Sequence, residues 1–357
     1  VSPEPDSPPG SPTGSPTGSP TGATGPVLSG VVIHWRDGDS LARLVRAWPH
    51  DPRFELIVVD NGADPDTLPG SDLPADSPAR LIRPGRNLGF AGAANRGAAI
   101  ARGEILLLLN PDAVPEPGAL DALLDGFSAH PEAAGLAPRL VDDAGGSPTE
   151  GRVEGEAESE PPSQYRWQLG RLPSPGRLVL EGLFLPARGG PEQEPPAGTP
   201  VEQPAAAALA LRREEWREVG GMDPRFHPAW FEDVDLARRL RAAGALLLYW
   251  PASRFRHALG STVPKLGYGR FLWIYYRNLT RYLAKHHGRG WAAAACAVLP
   301  VGMLLRLALL PVRRPRRATG RADAARGLLA VTVGALSGWR LPRASAAESQ
   351  PIEEETP

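Results

Sequence analysis

The sequence predicts an α/β domain: a mostly parallel sheet with helices on both faces. Short apolar runs alternate with helix-period segments between Gly30 and residue 129. The runs are apolar throughout instead of alternating, as strands covered on both faces are. Two of them end in an aspartate at a turn, Asp60 and Asp112, which puts carboxylates at strand ends, where open sheets collect their ligands.

VVI at 31–33 is a short β-branched strand, and LARLVRAW at 41–48 then places Leu41, Leu44, Val45 and Trp48 on one helical face. FELIVVD at 54–60 is the second strand, stopped by the turn Asp60-Asn61-Gly62. RLIR at 80–83 reads as a short third strand. NLGFAGAANRGAAIARG at 87–103 reads as an Ala-rich helix ending near Gly103, with Asn87 as its cap and small residues packed against the sheet. EILLLLNPD at 104–112 is a buried strand closed by Pro111, and a helix fills 117–129.

The second half restarts at AAAALALRREEWREVGGMDPRF, a strand-like run, a short helix and a Gly-Gly stop. Glu232, Asp233 and Asp235 open the next helix, which carries Leu236 and Leu240 on one face and ends at Gly244. Acidic residues suit a first turn, but three of them beside Trp230 and Phe231 exceed what capping needs. ALLLYW then forms a strand closed by Pro251.

Of 357 residues with a formal net charge of -1, 41 are proline and 40 glycine, concentrated in residues 1–26 and in the stretch 142–204. The first is a Ser-Pro-Thr-Gly repeat with almost nothing to bury, expected to be a disordered tail. It lacks the features of a secretory signal, so the chain is expected not to be exported. The second is expected to be a long variable loop outside the core, and residues 341–357 an acidic disordered tail. The charge balance gives no push toward nucleic acid. A single cysteine, Cys296, excludes an intramolecular disulfide and a Cys-rich zinc site.

In this order, VVIHWR at 31–36, IVVDNG at 57–62, NLGFAGAANRG at 87–97, LLLLNPDA at 106–113, LRREEWREVGGMDPRF at 211–226, FEDVDLARRLRAAG at 231–244 and His257 followed by Gly260-Ser261 resemble glycosyltransferase family 2, most closely its rhamnosyltransferase-like branch. The resemblance implies a GT-A fold over residues 27–290, with a Rossmann-like sheet holding a nucleotide-diphosphate sugar. It implies that Asp60 contacts base or ribose, with Asn87 and Asn95 near the donor. Asp112 resembles the last acid of the D-x-D metal motif, His257 a histidine that completes the metal site, and Asp233 the catalytic base. Glu232, Trp230 and Arg277 are expected to support the acceptor side.

The chemistry asks for such residues. A leaving nucleotide diphosphate gathers negative charge that Mg2+ or Mn2+ can stabilise, and hard oxygen ligands suit that ion. His257 would favour Mn2+ modestly. An attacking hydroxyl must lose its proton, the task of a positioned carboxylate. The expected reaction is one inverting displacement onto a glycan or lipid-linked acceptor, with dTDP-rhamnose the first donor to consider and UDP-linked hexoses next.

Three positions depart from the family pattern. His34-Trp35-Arg36 stands where relatives commonly have Asn-Trp-Asn, Asn110 replaces the first acid of D-x-D, and Ala206-Ala207-Ala208 replaces an expected Gly-Ala. These departures keep open a catalytically silent sugar-nucleotide binder or scaffold. A sugar nucleotidyltransferase is the other enzyme alternative, but it would need a Gly-rich, Lys-bearing loop after the first strand, and none is present.

Toward the C-terminus, GRFLWIYYRNLTRYLAKHH at 269–287 mixes aromatic and basic residues as a bilayer-surface helix would, with an ordinary docking helix, or one lining the site through Arg277-Asn278, as the alternatives. WAAAACAVLPVGMLLRLALL at 291–310 has the length of a span, but Pro300 and the cost of Arg306 at depth favour an interfacial anchor. Arg313, Arg314, Arg316 and Arg317 would add about 1 kcal/mol each at an anionic leaflet. Residues 291–340 are thus expected to be membrane-associated, with the enzyme anchored at the cytoplasmic face of the plasma membrane.

Overall fold

The computed structural model describes residues 25–62, 79–143, 162–183, 189–258, 266–312, 315 and 318–339. The two tails up to residue 24 and from residue 340, Gly260-Ser261 and the four arginines at 313, 314, 316 and 317 lie outside the described residues. In chain order the strands are β1 (Leu28–His34), β2 (Phe54–Asp60), β3 (Ala79–Ile82), β4 (Ile105–Leu109), β5 (Ala113–Pro115), β6 (Ala133–Asp142), β7 (Leu169–Gly170), β8 (Gln203–Pro204), β9 (Ala208–Arg212) and β10 (Leu246–His257). The helices are α1 (Gly38–Ala47), α2 (Gly89–Ile100), α3 (Ala119–Ala129), α4 (Tyr165–Gln168), α5 (Pro175–Glu181), α6 (Arg213–Glu218), α7 (Glu232–Ala242), α8 (Tyr268–His286), α9 (Arg289–Leu309) and α10 (Arg321–Leu336).

Eight strands form one sheet in the order β3-β2-β1-β4-β9-β6-β10-β5, and β7 pairs with β8 alone. Strands β3, β2, β1, β4, β6 and β10 run one way; β9 and β5 run against them. A flat sheet would hold β4 and β5 four strand spacings apart, about 19 Å. Only four Cα–Cα steps, about 15 Å at full stretch, join Leu109 to Ala113. The sheet must therefore curl, and residues 110–112 cross its open edge.

Both faces are covered, which is why the strands read as continuous apolar runs. On one face Leu41, Leu44 and Trp48 of the α1 segment and Leu120, Leu123 and Phe127 of α3 pack on Val32, Leu56, Val58, Leu107 and Leu109. On the other, Ala91, Ala94 and Ala98 of α2 and Leu236 and Leu240 of α7 pack on Val31, Ile33, Ile57, Val59, Leu106 and Leu108. Small residues set the spacing of α2, since a Cβ at Gly97 would lie 2.3 Å from a Val31 methyl.

Several elements differ from expectation. Helix α2 stops at Ile100, short of Gly103, and its N-cap position is Leu88. Strand β10 runs through Pro251 to His257, with a register shift between Trp250 and Arg254 absorbing the missing N–H. The described part of the stretch 142–204 is folded and partly core: it supplies α4, β7, α5 and β8, and Gln164, Gln168 and Gln203 are buried. Helix α8, for which docking and bilayer-surface roles were both open, is the centre of a third core in which Leu272, Leu279, Tyr282 and Leu283 meet Phe231, Leu299, Met303, Leu328 and Val331.

Candidate active site

The parallel strands bring five polar side chains to one edge of the sheet. His34 and Asp60 end β1 and β2 as register partners, and Asp142 and His257 end β6 and β10 in the same relation. Asp112 lies on the segment that crosses between them.

At the first pair, the His34 Nδ1 lies 3.3 Å from Asp60 Oδ1, and the Asp37 N–H donates to His34 Nε2 across 3.1 Å. The ring proton is therefore on Nδ1 and faces the carboxylate. Gly62 N–H also donates to Asp60 Oδ1 at 3.2 Å, and the Arg83 guanidinium stands 3.8 Å from Oδ2. His34, which replaces the family's usual asparagine, orients Asp60 from a fully buried position.

Beside this pair, at the start of α2, Leu88 N–H donates to Asn61 Oδ1 (2.7 Å), Gly89 N–H to Asn87 Oδ1 (2.8 Å) and Phe90 N–H to the Pro228 carbonyl (2.6 Å). Gly89 has φ +72°, and a Cβ there would meet His227 at 2.8 Å and the Pro228 carbonyl at 3.0 Å. Asn95 exchanges two hydrogen bonds with the Met222 backbone, at 2.8 and 2.9 Å. Asn87 thus holds the first residue of α2, as the sequence led one to expect of a cap, and Asn95 fastens the helix to the Met222 backbone.

At the second pair, Asp112 Oδ1 lies 3.5 Å from His257 Nε2, both side chains buried. Gln164 fixes the histidine. Its Nε2 donates to Asp142 Oδ1 and to the His257 carbonyl, both at 2.8 Å, which turns Oε1 toward His257 Nδ1, also at 2.8 Å. Nδ1 must then carry the ring proton, and Nε2 presents a lone pair to Asp112. Burial pushes the His257 pKa below its ordinary value, although Asp112 and Asp142 pull it up. A neutral imidazole and a carboxylate then face each other as two acceptors, an arrangement that suits a hard divalent cation with an outer-shell partner already in place. Among the described residues no group of three or more His, Cys, Asp or Glu is arranged to hold a metal ion by itself. The protein's contribution would be this pair, leaving coordination positions for phosphate and water. Trp167 stacks on His257 from the solvent side, with ring centroids 5.4 Å apart and planes 21° apart.

The third cluster surrounds Asp233 in the first turn of α7. Its Oδ1 accepts from Val234 N–H at 2.8 Å, and its Oδ2 accepts from the Gln203 side-chain amide at 3.3 Å. Glu232 beside it is buried. The turn into α7 is held open by two consecutive left-handed residues, Trp230 (φ 71°) and Phe231 (φ 74°). Such conformations cost about 1–3 kcal/mol each unless neighbours enforce them. Here Asn278 donates to the carbonyls of Ala229 (2.8 Å) and Trp230 (3.1 Å), and Arg277 donates to the carbonyl of His227. Phe231 fills a pocket against Tyr275 and Tyr282, while Trp230 packs edge-on to Phe271. Burial, with Arg281 nearby, lowers the Arg277 pKa to about 10.

Below the turn, α7 is pinned to α8. Asp235, fully buried, is met by Lys285 Nζ (2.6 Å), His286 Nε2 (2.7 Å) and Arg239 Nε (2.8 Å), and Lys285 also reaches Asp223 at 2.7 Å. Of the three acidic residues at the helix start, Asp235 is structural. Gln164, Gln203 and Trp167 had not been singled out. They lie in the Pro- and Glu-rich stretch, where SQYRWQLG at 163–170, two glutamines four apart flanking aromatics, was the available signal.

Residues 37–175 match the model of Glycosyl transferase family 2. The N-acetylglucosaminyl-diphospho-decaprenol L-rhamnosyltransferase of Mycobacterium tuberculosis (strain CDC 1551 / Oshkosh) is 28% identical over 313 residues, 82% of this chain and 96% of the relative. The pre-mycofactocin glycosyltransferase of the same strain is 30% identical over 204 residues, 57% of this chain and 37% of the relative. Among solved structures, GalNAc-T7 with UDP, GalNAc and Mn2+ superposes with a TM-score of 0.51 at 16% identity, over 72% of this chain and 47% of that one, a likeness of fold alone. Fold and matches together define a glycosyltransferase of the GT-A class. Residues 37–175 are similar to family 2 glycosyltransferases, and the chain is similar, over most of its length, to a rhamnosyltransferase.

Proposed function

We propose that this enzyme transfers a sugar, first of all rhamnose from dTDP-rhamnose, onto a hydroxyl of a sugar carried on a lipid diphosphate, with inversion and with Mg2+ or Mn2+. The observation that carries the reading is the facing pair Asp112 and His257, with Gln164 fixing the imidazole proton on the far side. Asp112 and His257 would hold the ion, which when bound neutralises the departing diphosphate. Asp60, oriented by His34, would receive the base or ribose. Asp233 would take the proton from the acceptor hydroxyl, with Gln203 holding the carboxylate in register. Glu232, Trp230 and Arg277 shape the wall on the acceptor side. The acceptor class is suggested by the mycobacterial relative, whose name specifies a diphospho-decaprenol substrate and which aligns over 96% of its length.

A membrane-bound acceptor is consistent with the C-terminal hairpin. Helix α9 is long and apolar enough to cross a membrane by length and composition. Arg306 does not oppose membrane contact, because it turns inward, donating to Tyr276 OH at 2.8 Å and lying over that ring. Outward, Val301, Leu304, Leu305 and Leu309 of α9 and Leu329, Val333 and Leu336 of α10 are exposed. We read this face as resting in the interface of an anionic leaflet on the cytoplasmic side.

The experiment is a donor panel, dTDP-rhamnose and UDP-hexoses, scored by nucleotide release with Mn2+, with Mg2+ and with chelator, in the presence of a short-chain N-acetylglucosaminyl diphospholipid. Metal-dependent release that requires the acceptor is expected with dTDP-rhamnose. Release from none of the donors would overturn the reading.

A further inference from the structure

An exposed tryptophan is held with unusual care. Trp167 is half exposed, yet the four-residue helix α4 that bears it is clamped at both ends by buried glutamines. Gln164 makes the three side-chain bonds to Asp142 and His257 given above, and its N–H donates to the Leu140 carbonyl at 2.8 Å. Gln168, fully buried, donates to the Pro138 carbonyl at 2.5 Å, accepts from Leu140 N–H at 3.2 Å, and accepts at its own carbonyl from Ala205 N–H at 2.9 Å. Burying two carboxamides brings little net stability over an apolar core. It does fix the direction in which the indole points.

One face of that indole covers the His257 imidazole, and about half of the residue's surface is open to water (50%). The chain then leads straight to the proposed base. Three residues after Trp167, at most about 11 Å of chain, Gly170 pairs with Gln203, whose amide reaches Asp233. A Cβ at Gly170 would lie 2.6 Å from Gln203 Oε1, so a side chain there would displace the amide end of Gln203. Trp167 and the Gln203 that holds Asp233 are thus joined through one short stretch of paired backbone. Sugar rings present C–H groups on one face and hydroxyls at their rim, so an aromatic face and a polar end are the complementary surfaces.

We propose that Trp167 is the platform for the acceptor's terminal sugar, stacking on its C–H face so that one hydroxyl is presented to Asp233. The proposal rests on the transfer reading above and adds to it a residue that selects and orients the acceptor. Trp167 would lie beside the metal pair without binding the ion, so acceptor saturation and metal saturation should separate.

The test compares wild type with Trp167→Phe, Trp167→Leu and Trp167→Ala, using a short-chain N-acetylglucosaminyl diphospholipid as acceptor probe. The expected result is an acceptor KM raised roughly tenfold in Trp167→Ala and Trp167→Leu, little changed in Trp167→Phe, with kcat and half-saturation by Mn2+ within about threefold of wild type. An unchanged acceptor KM would overturn the proposal. So would a shifted Mn2+ half-saturation in its place, which would make Trp167 a cover for His257. Titration calorimetry with the same probe keeps the two readings apart. Probe binding by wild type that is weakened in Trp167→Ala, with no turnover of any donor, would retain the platform and sink the transfer reading; no probe binding by wild type would sink the platform.

Discussion

Gln203 donates its side-chain amide to Asp233 across 3.3 Å, from a two-residue strand to the first turn of a helix. The proposed base is therefore held by a residue outside its own helix. Replacing Asp233 by Asn keeps its size and its bond from Val234 but removes the basicity. Transfer should fall by about 10²–10⁴-fold, with the melting temperature nearly unchanged. Retention of most of the transfer rate by a folded Asp233→Asn would remove Asp233 from the mechanism. Gln203→Ala should lower kcat by a smaller factor, with acceptor KM nearly unchanged, because the carboxylate is still present but no longer held.

Gln164 is expected to act on the metal through His257. In Gln164→Leu nothing accepts the Nδ1 proton, so the ring can take its other tautomer and turn Nε2–H toward Asp112. Half-saturation by Mn2+ should rise about 10–100-fold, and saturating metal should restore much of kcat. A loss of activity that no metal concentration rescues would show that Gln164 serves the fold and not the ion.

The contact of Lys285 with Asp223 and Asp235 fixes how the enzyme tolerates acid. Both carboxyls sit below their ordinary pKa, with burial opposing the shift; His286 and Lys285 lead the lowering at Asp235, and Arg225 and Lys285 at Asp223. Because the folded values are depressed, their stabilisation is complete above the unfolded carboxylate pKa of about 3.9. It is lost as pH falls from there through the folded values. Lys285→Met should cost about 1–3 kcal/mol at pH 7, because it removes one charged partner from two carboxylates that keep others. It should also flatten the fall in melting temperature between about pH 5 and 2. A variant as stable as wild type across that range would show that the network is dispensable.

The outward face of α9 should decide vesicle binding. Leu304→Glu with Leu305→Glu leaves the inward contacts of Arg306 untouched and places charge on the exposed side. Sedimentation with vesicles rich in anionic lipid should carry down wild type and leave the double variant largely in the supernatant, with soluble-acceptor activity unchanged. Equal sedimentation of both proteins would rule out this face as the anchor.

Strand ends and helix faces were legible in the sequence because both report local periodicity. FELIVVD delivers Asp60 to the edge, and Leu41, Leu44 and Trp48 are buried on one side of a helix, as their spacing implies. What could not be read was partnership across the chain. Gln164 and Gln203 lie in a passage whose composition suggests a loop, and their meaning comes from His257 and Asp233, 93 and 30 residues away. Helix α8 was ambiguous for a related reason. Its aromatic and basic residues match a membrane-surface pattern, but Leu279, Tyr282 and Leu283 are spent on Phe231 and the helices around it, and Lys285 on buried aspartates. A sequence pattern gives the face of a helix without naming what lies against it.

The inward turn of Arg306 bears on modularity. A membrane element that hid its charge within itself could be cut away or grafted elsewhere, as tails often are. Here the cation is received by Tyr276 on α8, the same helix whose Asn278 holds the backbone leading to Asp233. Removing residues from 289 onward would uncover Leu279 and Tyr282 and take away the partner of Tyr276, so a shortened chain would forfeit the packing behind the proposed acceptor-side wall along with the proposed anchor. Both proposed roles draw on a single core, and the surface that would meet lipid is the outer side of the layer that shapes the proposed base.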